Sequence, residues 1–200
     1  MSSDLKSVHL RDAAGEGMTS GDLLLYRAGR SLAELVISRV GRTRYAHAAR
    51  AFLGFKGWRS LETRAWHGGR KLPLAGEVKL YPRRIDVFEP MIGVARVWDC
   101  EYVPEKAVRW LADNVVGKPY GWRSIFGTAC LHLPVVRFLT RIQTQDDVEN
   151  GGTAPYCSHA QAMADRAAGF DPVPYLADRL TEPGDLARSL FYRYRFTLEP

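Results

Sequence analysis

Cys157 occupies a position that activates a thiol. It follows the stretch Gly151-Gly152-Thr153-Ala154-Pro155-Tyr156 and opens the Ala-rich run Ser158 to Ala168, which reads as a helix ended by Gly169. A cysteine at a helix N-terminus feels the positive end of the helix dipole, which lowers its pKa and raises the thiolate fraction. The free N–H groups of the same first turn suit a developing oxyanion. A small buried residue starting an Ala-rich helix would show the same pattern, so position alone leaves packing and catalysis both open. Cys100 and Cys130 lie at a strand end and in an apolar run, contexts suited to core thiols.

A thiolate nucleophile works best beside an imidazole. The five histidines are His9, His47, His67, His132 and His159. His9 lies near the N-terminus and His132 inside an apolar run. His159 is two residues from Cys157 and so points away from it on a helix. His47 opens a strand pattern and His67 precedes Gly68-Gly69 in a loop; the pattern favours His47 and keeps His67 as the alternative. The base needs an acceptor for its second nitrogen. Glu62 qualifies if the runs 47–53 and 58–63 form a hairpin closed symmetrically about Phe55-Lys56. Ala49 then faces Glu62, and His47 lies diagonally from Glu62 on the same sheet face. A slip of one residue would separate them, leaving Glu62 an ordinary solvated carboxylate.

The elements that must hold these residues follow from periodicity and breakers. Leu23 to Tyr26 reads as a buried strand. Ser31 to Val40 has helical spacing at Leu32, Leu35, Val36 and Val40, with Gly41 as its cap. Val78 to Tyr81 and Ile85 to Phe88 are expected as a strand pair around Pro82-Arg83-Arg84, and Val94 to Trp98 as another strand. Pro104 to Val116 is the clearest helix, with Pro104 in its first turn and Ala107, Val108, Leu111 and Val115 as its apolar stripe. Ile125 to Ile142 reads as helix interrupted near Pro134, Thr144 to Pro155 as loop, and Phe191 to Leu198 as a final strand. Residues 1–18 are expected to be a flexible arm and residues 19–200 a single domain. The order implies an α+β fold, an antiparallel sheet packed against helices.

Composition narrows the function class. The chain has 200 residues, 28 basic and 22 acidic, for a net charge of +6. Hydrophobic residues make up 46%, an ordinary value for a globular domain. The basic residues are scattered, so an anionic polymer or membrane surface is permitted while specific nucleic-acid binding is not expected. Three cysteines argue against a disulfide framework and for a reducing compartment. No apolar signal segment and no run of membrane-spanning length is visible, so a cytoplasmic location is the default expectation, with delivery by lysis or a phage particle left open.

The order Gly21-Asp22-Leu23-Leu24, Tyr45-Ala46-His47-Ala48, Leu61-Glu62 and Tyr156-Cys157-Ser158 resembles the circularly permuted papain-fold hydrolases of the YiiX-like group. That group lies within the NlpC-type superfamily, which also includes lecithin retinol acyltransferase. Gly117-Lys118-Pro119-Tyr120 is similar to that family's Gly-x-x-Tyr connection. The resemblance covers about Thr19 to Gly169. It departs at His159, where the family often has Glu. It implies a permuted papain-like fold with Cys157 as nucleophile, His47 as base and Glu62 as third residue. It also implies a cysteine-dependent hydrolase of the amidase or peptidase type that works through a thioester and needs no cofactor.

The substrate would be a peptide, a peptidoglycan peptide or an acyl lipid, and Trp58, Trp66, Trp98, Trp110 and Trp122 are candidates to line a groove for it. Three readings compete with an amidase: a lipid acyl hydrolase or acyltransferase, a non-catalytic binding module, and a metal site built from His47, His67, Cys157 and His159. Cys-x-His is not a standard zinc spacing, which counts against the last.

Overall fold

The computed structural model describes residues 6–29, 31–121 and 155–200. Thirteen elements are numbered over those residues. The strands are β1 (Ser7–His9), β2 (Leu23–Arg27), β3 (Tyr45–Gly54), β4 (Gly57–Arg64), β5 (Gly68–Pro73), β6 (Ile85–Pro90) and β7 (Tyr192–Glu199). The helices are α1 (Leu32–Val40), α2 (Leu74–Leu80), α3 (Ile92–Val97), α4 (Pro104–Asn114), α5 (Cys157–Ala167) and α6 (Pro183–Arg188). The seven strands form one sheet in the order β1-β7-β6-β2-β3-β4-β5. Every pairing is antiparallel except β1 with β7. The fold is therefore mixed α+β, a seven-stranded sheet packed by helices.

Strand alternation divides the core in two. Leu23, Leu25, Ala48 and Leu61 face one side and pack with Leu111 of α4 and Ala160 and Ala164 of α5. Leu24, Tyr26, Ala49 and Ala51 face the other and pack with Leu74 and Val78 of α2 and with Val8, Ala13 and Met18. Four successive residues of β2, Leu23 to Tyr26, are buried because both faces of this central strand are covered. Ala160, Ala162 and Ala164 are fully buried. These small side chains let the α5 backbone lie close to the sheet, where a longer side chain would overpack.

The β3–β4 hairpin has the register its glycines imply. Gly54 pairs Gly57, Leu53 pairs Trp58 and Ala49 pairs Glu62. Gly57 has φ +97°, a left-handed conformation in which a side chain would be strained. The first helix runs Leu32–Val40, capped by the Ser31 side chain accepting from the Glu34 N–H. Its Leu32, Leu35 and Val36 are exposed rather than packed on the sheet.

Three expected features differ. Val78 to Tyr81 is not a strand. Residues 74–80 form α2, because Leu74 and Val78 sit four apart on one helical face while Glu77 is buried beside them. Val94 to Trp98 is not a strand either; it lies at α3 and its end, where only Ala95 is buried and Val97 and Trp98 are exposed. Residues 6–18 belong to the sheet and core rather than to a loose arm, since Ser7–His9 pairs β7 and Val8, Ala13 and Met18 are buried. The expected helix Ile125 to Ile142, and all but the last residue of the loop Thr144 to Pro155, lie outside the described residues.

Candidate active site

His47 reaches the site through an irregularity in β3. Its neighbour Ala46 is an extra residue in the β2–β3 pairing, where Tyr26 faces His47 and Arg27 faces Tyr45. Such bulges bend a strand and re-aim its side chains. The His47 ring packs edge-on against Tyr26 at 5.1 Å between centroids. Its Nε2 lies 2.7 Å from Glu62 Oε2, joining the diagonal pair of the hairpin.

Cys157 is the first residue of α5, with Tyr156 as N-cap in extended conformation and no side chain capping the first turn. The first-turn N–H groups are thus not taken by a capping side chain. The sulfur faces the His47 ring as its hydrogen-bond partner, and the nearby backbone N–H groups of Ala48 and Ser158 favour its ionised form. With Nε2 engaged by Glu62, the Cys157 contact falls to the other ring nitrogen, Nδ1. The structure thus brings together Cys157, His47 and Glu62, from a late helix, an early strand and the strand after it.

Electrostatics follow from these contacts. Burial alone would raise the Cys157 pKa, but the His47 hydrogen bond and charge, then the two N–H groups, bring it below the ordinary thiol value. Burial alone would lower the His47 pKa, but the Glu62 charge and the contacts with Cys157 raise it to about 9. Burial would raise Glu62, yet His47, Arg64 and Arg70 bring it down to about 2. The arrangement favours a thiolate facing an imidazolium, with an ionised carboxylate behind the ring.

Glu62 is fully buried and held on both oxygens. Arg70 Nη2 donates to Oε1 at 2.7 Å, and Arg64 Nη2 donates to Oε2 at 3.1 Å. Arg70 stands directly opposite Glu62 in the β4–β5 pairing. Arg64, two residues after Glu62 on the same sheet face, also donates to Glu77 of α2 at 3.0 Å and to the Tyr81 hydroxyl at 2.9 Å. A cavity of about 140 Å³ opens over Cys157 and His47, lined also by Tyr26, Tyr81, Tyr120, Arg27 and Arg64.

The other candidates lie elsewhere. His67 is exposed, and its Nδ1 lies 3.1 Å from the Ala65 carbonyl oxygen. His159 is buried on α5 with its ring 5.4 Å from that of Tyr156. His9 is exposed. Cys100 is half-buried, its thiol donating to the Trp98 carbonyl at 3.4 Å. Among the described residues no group of three or more His, Cys, Asp or Glu is placed to hold a metal ion. Cys130, His132 and Trp122 lie outside the described residues. Trp58 and Trp110 pack against the cores, while Trp66 and Trp98 are exposed. The aromatic cavity walls among the described residues are tyrosines, not the tryptophans expected to form a groove.

Arg64, Arg70 and Glu77 escaped the sequence reading. Arg64 carried a signal, since an i, i+2 spacing from Glu62 puts both on one strand face. Arg70 depends on β5, of which the sequence marks only the glycines at 68 and 69, and Glu77 depends on α2, whose last turn overlaps the expected strand Val78 to Tyr81. No described helix is long and apolar enough to cross a membrane.

No family model and no curated protein matches this chain. Among solved structures, the crystal structure of the metalloprotein YiiX from Escherichia coli O157:H7 is similar to it at 13% identity. That match has a TM-score of 0.49 and covers 91% of this chain and 98% of that chain.

Proposed function

We propose that this protein is a cysteine-dependent hydrolase of amide or ester bonds, of the permuted papain type. One observation carries the reading: a helix-opening thiol, an imidazole and a buried carboxylate joined in sequence by hydrogen bonds. Buried hydrogen bonds in series of this kind are expensive to build for packing alone, because each member must be desolvated and then satisfied. An early histidine on a strand and a late cysteine on a helix agree with the order of permuted papain-like hydrolases, which the sequence resembles.

The chemistry follows from the atoms present. The Cys157 thiolate attacks a substrate carbonyl carbon and forms the S–C bond. The oxyanion that develops is held by N–H groups at the start of α5. The bond to the leaving nitrogen or oxygen breaks as the His47 imidazolium gives it a proton. Water then attacks the thioester, passing its proton to His47 and restoring the thiolate–imidazolium pair as the acid product departs. Peptide or cell-wall amides are the first substrates to test, with acyl esters as the alternative.

Turnover of fluorogenic peptide amides and acyl esters tests the proposal. Cys157→Ala and His47→Ala are expected to cut kcat/KM by about 10³-fold or more while preserving the folded-state circular dichroism. Iodoacetamide near neutral pH is expected to modify Cys157 ahead of Cys100 by peptide mass mapping. A variant that keeps more than about a tenth of the activity would refute the assignment.

A further inference from the structure

Arg70 stands outside the cavity yet within one contact of the reacting pair. It lies on β5 directly across from Glu62, and its Nη2 donates to Glu62 Oε1 at 2.7 Å. Among the described residues this is the one ion pair its guanidinium makes. Arg64 differs, because its charge is shared between Glu62 at 3.1 Å and Glu77 at 3.0 Å. The positive charge of Arg64 is thus matched by Glu77, while that of Arg70 falls on Glu62 alone. Its Nε is a buried donor without a partner, a cost the fold bears while aiming the guanidinium at one carboxylate oxygen.

We propose that Arg70 is a positioning residue for the hydrolytic reaction: by sharing the charge of Glu62, it keeps the His47 imidazolium acidic enough to protonate the leaving group. An imidazole backed by an unshared buried carboxylate would hold its proton too tightly to be a good acid near neutral pH. Arg70 acts through Glu62; it does not line the cavity and is not among the groups that act directly on Cys157. The inference rests on the hydrolase reading for its catalytic meaning, and on geometry alone for the coupling. The charged and titratable groups around the imidazole are Tyr26 from β2, Glu62 and Arg64 from β4 and Cys157 from α5. Arg70 and Glu77 stand behind them, and Arg27, Glu34, Tyr81 and Tyr120 share the cavity. Of these, only Arg70 is altered in the test.

The full chain carrying ¹³C-labelled histidine is titrated by NMR, with the His47 resonance identified by its loss in His47→Gln. Arg70→Met removes a cation that disfavours the imidazolium, so the His47 midpoint is expected to rise by about one pH unit. Arg70→Lys keeps the charge and is expected to titrate within about 0.3 unit of the parent. Should the methionine variant fail to fold, Arg70→Gln, which keeps a donor for Glu62 but no charge, makes the same comparison. In steady state the neutral variant should lose about threefold in kcat at pH 7 with KM held, while the alkaline limb of its profile moves up.

An unmoved or lowered midpoint in a folded neutral variant overturns the inference. A fall would mean that Arg70 merely anchors Glu62. The titration needs no substrate. A raised midpoint in a protein without hydrolytic activity would therefore refute the hydrolase reading and leave the coupling standing; an active enzyme with an unmoved midpoint would do the reverse.

Discussion

At the residue scale, hairpin arithmetic placed two of the three central side chains. The glycines at 54 and 57 set the closure, closure set Ala49 opposite Glu62, and the diagonal neighbour was His47. Cys157 was legible from a different cue, a Gly/Pro stretch before an Ala-rich helix. The supporting charges were not legible, because an arginine's partner depends on elements distant in sequence and no local pattern names it. The pair of perturbed groups fixes a pH profile. The thiolate–imidazolium form exists above the lowered Cys157 pKa and below the His47 value of about 9. The proposed hydrolase activity is therefore expected to fall above pH 9 and to persist below the ordinary thiol range. In Glu62→Gln the raising charge is gone, so the alkaline limb should move to lower pH and kcat/KM should drop by about 10²-fold. A kcat/KM profile measured from pH 4 to 10 checks both, and an alkaline limb unmoved by the substitution would contradict the assigned role of Glu62.

At the element scale, the question is what fixes α5 against β3, since these two carry the sulfur and the ring. The Ala-rich face of α5 gives the close approach, and a buried polar node gives the alignment. Arg50 of β3 and Asp165 of α5 are both fully buried and pair at 2.9 Å. Arg50 also donates to the Gln161 side chain at 3.1 Å and to the Gly21 carbonyl at 3.0 Å, while the Tyr102 and Tyr192 hydroxyls donate to Asp165. The helix pattern of α5 and its end at Gly169 were plain in the sequence, but this node was not. Apart from His47, Arg50 is the one basic side chain of β3, and no local pattern names its partner. The element misreadings share a cause. Short segments such as α2 and α3 carry too few turns for a period of 3.6 to stand out from a period of 2. Arg50→Met strands a buried carboxylate and is expected to cost about 3–5 kcal/mol in urea unfolding. The double variant Arg50→Met/Asp165→Leu removes both charges and should be the more stable of the two. A double variant less stable than Arg50→Met would show that the node acts other than as a matched pair.

At the scale of the whole molecule, the buried ionisable groups oppose one another in setting acid stability. Glu62 has its pKa lowered to about 2, so its contribution is present above pH 4.5 and lost as pH falls through 2. His47 is raised from 6.5 to about 9, so its share is present below pH 6.5 and lost as pH rises through 9. These are two views of one interaction, strongest between pH 4.5 and 6.5. Asp22 works the other way. Burial, opposed by its bonds from the Thr19 N–H and hydroxyl and aided by the charge of Glu89, raises it from 3.8 to about 6. Its folded form binds the proton more tightly, so stability is lost as pH rises through 6, by about 3 kcal/mol in all. Glu182, raised by burial and by Asp185 from 4.5 to about 7, adds to the same slope. The molecule should therefore be most stable at about pH 4, below the usual optimum for a globular protein. Urea midpoints taken at pH 4 to 8 in 0.2 M salt, which screens the self-repulsion of a chain of net charge +6, test this. Asp22→Asn keeps an acceptor for the Thr19 N–H and cannot ionise. It should flatten the decline between pH 4 and 6 and exceed the parent in stability at pH 8. Parent midpoints that climb steadily from pH 4 to 7 would mean that Asp22 and Glu182 are not desolvated as their burial requires.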